Sequence, residues 1–255
     1  MVDRFKVTIP QLTGDRERTA FVYLPTGYDM EEDRRYPVLY MFDGHNLFTD
    51  EEATYGKCWG LEDYLDYTDT QIIVAAVECN TEGNGRLSEY SPVDFSWQGG
   101  GIIKGRGRLY MNWLVKEFKP GIDAIYRTLP DRRNTAIAGS SMGGLMTMYA
   151  LAKYGAVFSK GAALSPSLWI GSGEAVKIIE DAAYRRGTIL YTDYGSMEFR
   201  NHEGQMALFA DTCATLLKKG VLLTSRIVPG GTHCEASWEQ QIPIFMRVLG
   251  FEPEH

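Results

Sequence analysis

Residues 135–144, Thr-Ala-Ile-Ala-Gly-Ser-Ser-Met-Gly-Gly, constrain the fold more than any other stretch of the chain. A short apolar run without polar alternation enters a turn made of glycine, serine and one methionine, and a helix-forming run over residues 145–153 follows. Apolar runs that do not alternate suit strands covered on both faces, as in a parallel sheet between helices. The turn must then carry the chain straight from strand to helix, and its glycines let neighbouring backbone pass close to it.

The same alternation recurs along the chain. Strand-like runs occupy residues 5–9, 19–24, 38–42, 72–77, 135–138, 161–164, 188–192 and 224–228, and helical spacing occupies 109–124, 144–153, 175–185, 205–218 and 237–249. The reading predicts an α/β fold with a mostly parallel central sheet of about eight strands and helices on both faces. The first two strands, joined near Gly14, form an antiparallel lead-in. A length of 255 residues without repeat or linker suits a single domain over 1–255. The one long stretch without periodicity, about 80–108, is glycine-rich and is expected as a loop over the active site.

Composition removes several classes of function. The net charge of -7 gives no basic footprint for nucleic acid. No apolar run is long enough to span a membrane, and the charged start Met-Val-Asp-Arg is unlike a secretory signal. Cys58, Cys79, Cys213 and Cys234 show no CxxC spacing, which points to free thiols in a cytoplasmic protein and to neither a zinc site nor a redox pair. No cofactor or metal is expected.

Gly139-Ser140-Ser141-Met142-Gly143 fits G-x-S-x-G, the sharp strand-to-helix turn that lifts a serine hydroxyl above a sheet edge. A turn without chemistry is the plainer alternative; a phosphate loop is a further one, against which stands the missing G-K-[ST] ending. With Ser141 as nucleophile, the N–H of Met142 at the helix start is the natural oxyanion donor. A serine nucleophile needs a base, and the base needs an orienting acid. The histidines are His45, His202, His233 and His255. In strand–turn–helix hydrolases the order is serine, acid, histidine. His45 precedes the serine, His255 is terminal, and His202 sits among polar residues. His233, in a loop between the last strand and last helix, is the expected base. The acid must follow the strand at 188–192, where Asp193 and Glu198 both qualify on spacing.

Together these segments resemble the putative esterase family of α/β hydrolases, which contains enterochelin (siderophore) esterases, S-formylglutathione hydrolase, feruloyl and acetylxylan esterases, and mycolyltransferases. The resemblance runs from about Thr19 to Leu249. It rests on Asp43-Gly-His-Asn-Leu-Phe after a strand, Trp59-Gly-Leu-Glu-Asp, Arg86-Leu-Ser-Glu-Tyr-Ser-Pro, the Ser141 turn, and Ser165-Pro-Ser-Leu-Trp. It implies that Gly195-Ser-Met-Glu supplies the acid, so that Glu198 stands ahead of Asp193. It also implies a second oxyanion donor in the N–H of His45, whose side chain becomes a pocket wall.

Tyr90, Phe95, Trp97, Trp169 and Phe199 are expected near the mouth, with Trp169, Trp97 and Tyr90 as substrate-binding residues for an aromatic acyl group or a sugar face. The expected activity is hydrolysis of small, acetylated or feruloyl-type esters, with neither nucleic acid nor membrane as partner. An acyltransferase with the same residues is the alternative. A siderophore esterase would draw on Arg86, Lys104, Arg106 and Arg108 for a large anionic ligand. A binding scaffold that kept only the fold would have lost the serine, histidine and acid.

Overall fold

The computed structural model describes residues 1–97, 100–198 and 204–251. Its centre is one sheet built from β1 (Val2–Thr8), β2 (Glu17–Tyr23), β3 (Val38–Met41), β4 (Ile73–Val77), β5 (Thr135–Ser140), β6 (Lys160–Leu164), β7 (Ile189–Gly195) and β8 (Leu222–Val228). The spatial order is β1-β2-β4-β3-β5-β6-β7-β8. β1 and β2 pair antiparallel, as do β2 and β4, and every later pair is parallel. The expected parallel sheet with an antiparallel lead-in is therefore present, with β5 two residues longer than the sequence pattern marked.

Burial explains which runs lack alternation. β3, β4 and β5 are buried at every position, because helices cover both faces. One face holds Val38, Tyr40, Ile73, Ile137 and the helix Met142–Lys153. The opposite face holds Leu39, Val74, Ala136, Ala138 and the helix Ile242–Leu249. The outer strands β1 and β8 alternate between half-buried and exposed positions, as edges of a sheet do.

Proline accounts for two departures from the expected helices. The helix starting at Gly107 runs through a π turn, Leu114–Phe118, before continuing as Lys119–Ile125. Pro120 cannot donate to the carbonyl four residues back, and the turn widens just ahead of it. The helix expected over 237–249 is two pieces, Glu235–Glu239 and Ile242–Leu249, with Pro243 in the first turn of the second. The helix expected over 175–185 ends earlier, as Glu174–Glu180.

The stretch expected as a long loop is more ordered than its glycines suggest. It contains the helix Gly85–Glu89 and a two-stranded ribbon pairing Phe95–Ser96 with Ile102–Ile103. β3, β5, β6, β7 and β8 all leave the sheet at one edge, where open α/β sheets gather their functional loops. Among the described residues no helix is long and apolar enough to cross a membrane.

Candidate active site

The turn after β5 holds Ser141 at φ 57°, ψ -118°, a left-handed conformation that L residues rarely adopt. Ser141 N donates to Leu164 O at 2.9 Å, which pins the turn to the end of β6. Two glycines let the helix dock. A Cβ on Gly139 would stand 2.9 Å from the Gly143 carbonyl carbon, and one on Gly144 would stand 2.8 Å from Leu164 O. The helix Met142–Lys153 then starts directly behind the serine, with the Met142 N–H at its first position and without an intrahelical partner.

Two loops bring partners to Ser141. His233, on the loop after β8, places Nε2 at 2.9 Å from Ser141 Oγ. Its Nδ1 is 2.7 Å from Glu198 Oε2, on the loop after β7. The second Glu198 oxygen, Oε1, accepts from Gly195 N at 2.8 Å and Ser165 Oγ at 2.7 Å. Ser165 Oγ in turn accepts from Trp238 Nε1 at 3.0 Å, and the Trp238 ring stands edge-on to His233 at 5.1 Å. Burial raises the Glu198 carboxyl, but the hydrogen bonds from His233, Ser165 and Gly195 outweigh it and hold Glu198 below its ordinary value.

Asp193, the other acid open on spacing, does not reach the imidazole. It is buried at the end of β7 and accepts from Tyr191 Oη at 2.7 Å and Ser165 N at 3.2 Å. Burial is the main cause that pushes its carboxyl up to about 6.

Across Ser141 lies a 3-10 turn, Gly44–Asn46, after β3. The first hydrogen bond of that turn is Asn46 N to Asp43 O, at 2.9 Å. The N–H of His45 precedes it and has no partner within the turn. Asp43 is itself left-handed, at φ 57°. Its buried carboxylate takes Arg86 Nε at 2.7 Å and Nη2 at 2.8 Å, and its N–H donates to Tyr90 Oη at 3.2 Å. Burial raises the Asp43 carboxyl, yet the Arg86 guanidinium more than offsets this and keeps it low. Nearby, Glu89 pairs with Arg18 at 2.8 Å, both side chains 2% exposed, and burial pushes Glu89 up to about 7. The Arg86-Leu-Ser-Glu-Tyr segment therefore braces the turn that carries His45.

This corrects one expectation. Tyr90 is fully buried and does not stand at the mouth. Its ring packs edge-on to Phe42 at 5.0 Å and Tyr110 at 5.2 Å, because its hydroxyl is needed under Asp43. Phe95 is buried as well. Trp169 is 40% exposed and stacks on Trp97 at 6.2 Å. Phe199, His202 and His255 lie outside the described residues. Of the four basic residues near the ribbon, Arg86 is held by Asp43 and Lys104 by Asp94 at 2.6 Å.

Two hollows meet at Ser141 and His233. One, of about 410 Å³, is walled by Ser167, Trp169, Tyr194, Met197 and Gln205. The other, of about 420 Å³, is walled by His45, Asn46, Tyr55, Arg86, Glu235 and Trp238. The His45 side chain lies in that second wall, with Nε2 2.9 Å from Thr54 Oγ1, and burial lowers its pKa. Sequence reasoning singled out the Ser165-Pro-Ser turn but gave no role to Ser165 or Ser167, whose Oγ is 3.3 Å from Ser141 Oγ. Among the described residues no cluster of His, Cys, Asp and Glu is disposed to hold a metal ion.

The family model for putative esterases matches residues 12–244. The uncharacterized protein YbbA of Bacillus subtilis (strain 168) is 26% identical over 197 residues, covering 74% of this chain and 72% of that protein. Among solved structures, a ferulic acid esterase superposes with a TM-score of 0.71 at 21% identity, over 97% of this chain and 98% of the other. An IroE-like serine hydrolase from Shewanella oneidensis gives 0.71 at 20% identity, over 99% and 89%. At these identities the two structures share the α/β-hydrolase fold with this chain.

Proposed function

The chain belongs to the putative esterase family of ester hydrolases, and on that premise we propose that it is a serine carboxylic-ester hydrolase acting through an acyl-enzyme. The observation that carries this reading is the hydrogen-bonded line from Ser141 Oγ through His233 to Glu198. Ser141 Oγ attacks the ester carbonyl carbon while His233 Nε2 takes its proton. The resulting oxyanion is held by the backbone N–H groups of Met142 and His45. His233 then protonates the departing alkoxide, and the C–O bond breaks to leave acyl-Ser141. Water repeats the sequence with the same base and releases the acid. Glu198 stays ionised, fixes the imidazole tautomer and offsets the charge that develops on it.

The hollow beside Trp169 gives the flat apolar half of a substrate somewhere to lie, and its size suits a small ester of the acetyl or feruloyl kind. A large anionic ligand fits less well, since Arg86 and Lys104 already have carboxylate partners. The test is hydrolysis of p-nitrophenyl acetate and methyl ferulate by the wild type and Ser141→Ala. The variant is expected to lose at least ~10³-fold in rate while remaining folded. Equal turnover by both proteins would remove the serine mechanism, and the ratio of the two substrates reads the preference of the Trp169 hollow.

A further inference from the structure

The two hollows differ in what they lack. The Trp169 side has an indole, a phenol, a thioether and the Gln205 amide, while the other side adds Arg86, Asp43 and Glu235 to Tyr55 and Trp238. In that second hollow Asp43 is neutralised by a two-point contact with Arg86. Glu235 is different. As a residue it is 7% exposed. Among the described residues the only side-chain hydrogen bond to its carboxylate is a long one, 3.5 Å from Asn46 Nδ2, and Arg86, the cation in the same wall, is paired to Asp43. Neither of its oxygens is sealed away without a partner, and Glu235 lines the hollow that also contains Ser141.

A carboxylate in that setting is costly unless something donates to it. The chain supplies one amide N–H at the edge of hydrogen-bond range. Of the other groups in the wall, Trp238 Nε1 is spent on Ser165 and His45 Nε2 on Thr54. Next to the proposed nucleophile the hollow thus carries a carboxyl group that meets one weak amide donor and no side-chain cation at ion-pair distance. Its missing counterpart is a cationic hydrogen-bond donor of a size that fits beside an ester.

We propose that Glu235 binds an ammonium group carried by one half of the ester, so that the substrate class is a small ester with a protonated amine near its carboxyl. This rests on the esterase reading above and deepens it. Two isosteric pairs test it: 2-(dimethylamino)ethyl acetate against 3-methylbutyl acetate, and ethyl 3-(dimethylamino)propanoate against ethyl 4-methylpentanoate. The first pair puts the ammonium on the alcohol half, the second on the acyl half. Hydrolysis is followed by pH-stat. In the wild type one pair is expected to favour the charged member in kcat/KM by roughly tenfold, the scale of one charge-assisted hydrogen bond. In Glu235→Gln, which keeps the shape of the side chain, that ratio is expected to fall to about one. A wild-type ratio near one in both pairs overturns the proposal without any variant. So does a preference that survives in Glu235→Gln, or a preference for glyceryl acetate over both members of the first pair, which would make the hollow a polyol site. Failure of the esterase reading looks different: no Ser141-dependent hydrolysis of any of these esters.

Discussion

Asp193 and Glu198 stand five positions apart, at the end of β7 and on the loop that leaves it, and both carboxyls are largely withdrawn from water. Their affinities for protons move in opposite directions. Asp193 has two donors, a phenol and one backbone N–H, and burial prevails, pushing it up to about 6. Glu198 has three, an imidazole, a hydroxyl and a backbone N–H, and they prevail over burial. Depth alone therefore does not set the state of a buried acid; the donors aimed at each oxygen do. The acid with three donors, one of them an imidazole, is the one suited to remain ionised through a proton-transfer cycle. The other is better described as a polar tie between β6 and β7.

The contrast can be broken at three places. The largest effect is expected from Glu198→Gln, which keeps the size but loses the charge that orients His233. Its kcat for p-nitrophenyl acetate should fall by ~10³- to 10⁴-fold, while Asp193→Asn stays within about tenfold of wild type. A reversal of that order would exchange the two roles.

The next effect concerns stability. The raised carboxyl of Asp193 favours the folded state when protonated. Its contribution is fully present below the unfolded value near 3.9 and is lost as pH rises through about 6. Across that window the wild type should lose on the order of 3 kcal/mol that Asp193→Asn retains. Urea midpoints measured along a pH series check this, and parallel curves for the two proteins would refute it. Glu198 carries the opposite sign. Its depressed value contributes stability above the unfolded value, and that contribution is lost as pH falls through the folded one.

The smallest effect is expected from Ser165→Ala, which removes one donor to Glu198 and the acceptor of Trp238 Nε1. Loss of one such hydrogen bond should cost roughly tenfold in kcat with little change in KM. A change confined to KM would place Ser165 in binding and not in positioning.

Much of this architecture is legible in the residues. The solid apolar runs mark the interior strands because both of their faces are covered, and β1 through β8 fall where those runs lie. Ser141 and His233 are readable because a glycine-flanked serine between strand and helix, and a histidine in the last loop, are few. The choice between Glu198 and Asp193 is not readable from spacing, since each follows the same strand. It turns on which carboxylate the Gly195 turn aims at the imidazole. Tyr90 misleads because an aromatic in a glycine-rich stretch suggests a loop at the mouth, whereas its hydroxyl is committed beneath Asp43. The helix Gly85–Glu89 escapes a periodicity search because it is little more than one turn long. Glu235 is invisible for a different reason: its isolation from cations is a property of the packed hollow and leaves no trace in sequence.

The loop after β8 also fixes when the site can exist. Ser141 is joined to His233, 92 positions further along, and His233 to Glu198, which is tied to Trp238 through Ser165. The turn bearing the serine is pinned to the end of β6, whereas its partners stand on the loops after β7 and β8. Contacts of such long sequence separation are slow to form, because a long stretch of chain must first be closed into a loop. A nascent chain emerging amino end first would therefore carry the serine hydroxyl without its imidazole until the loop after β8 has been made.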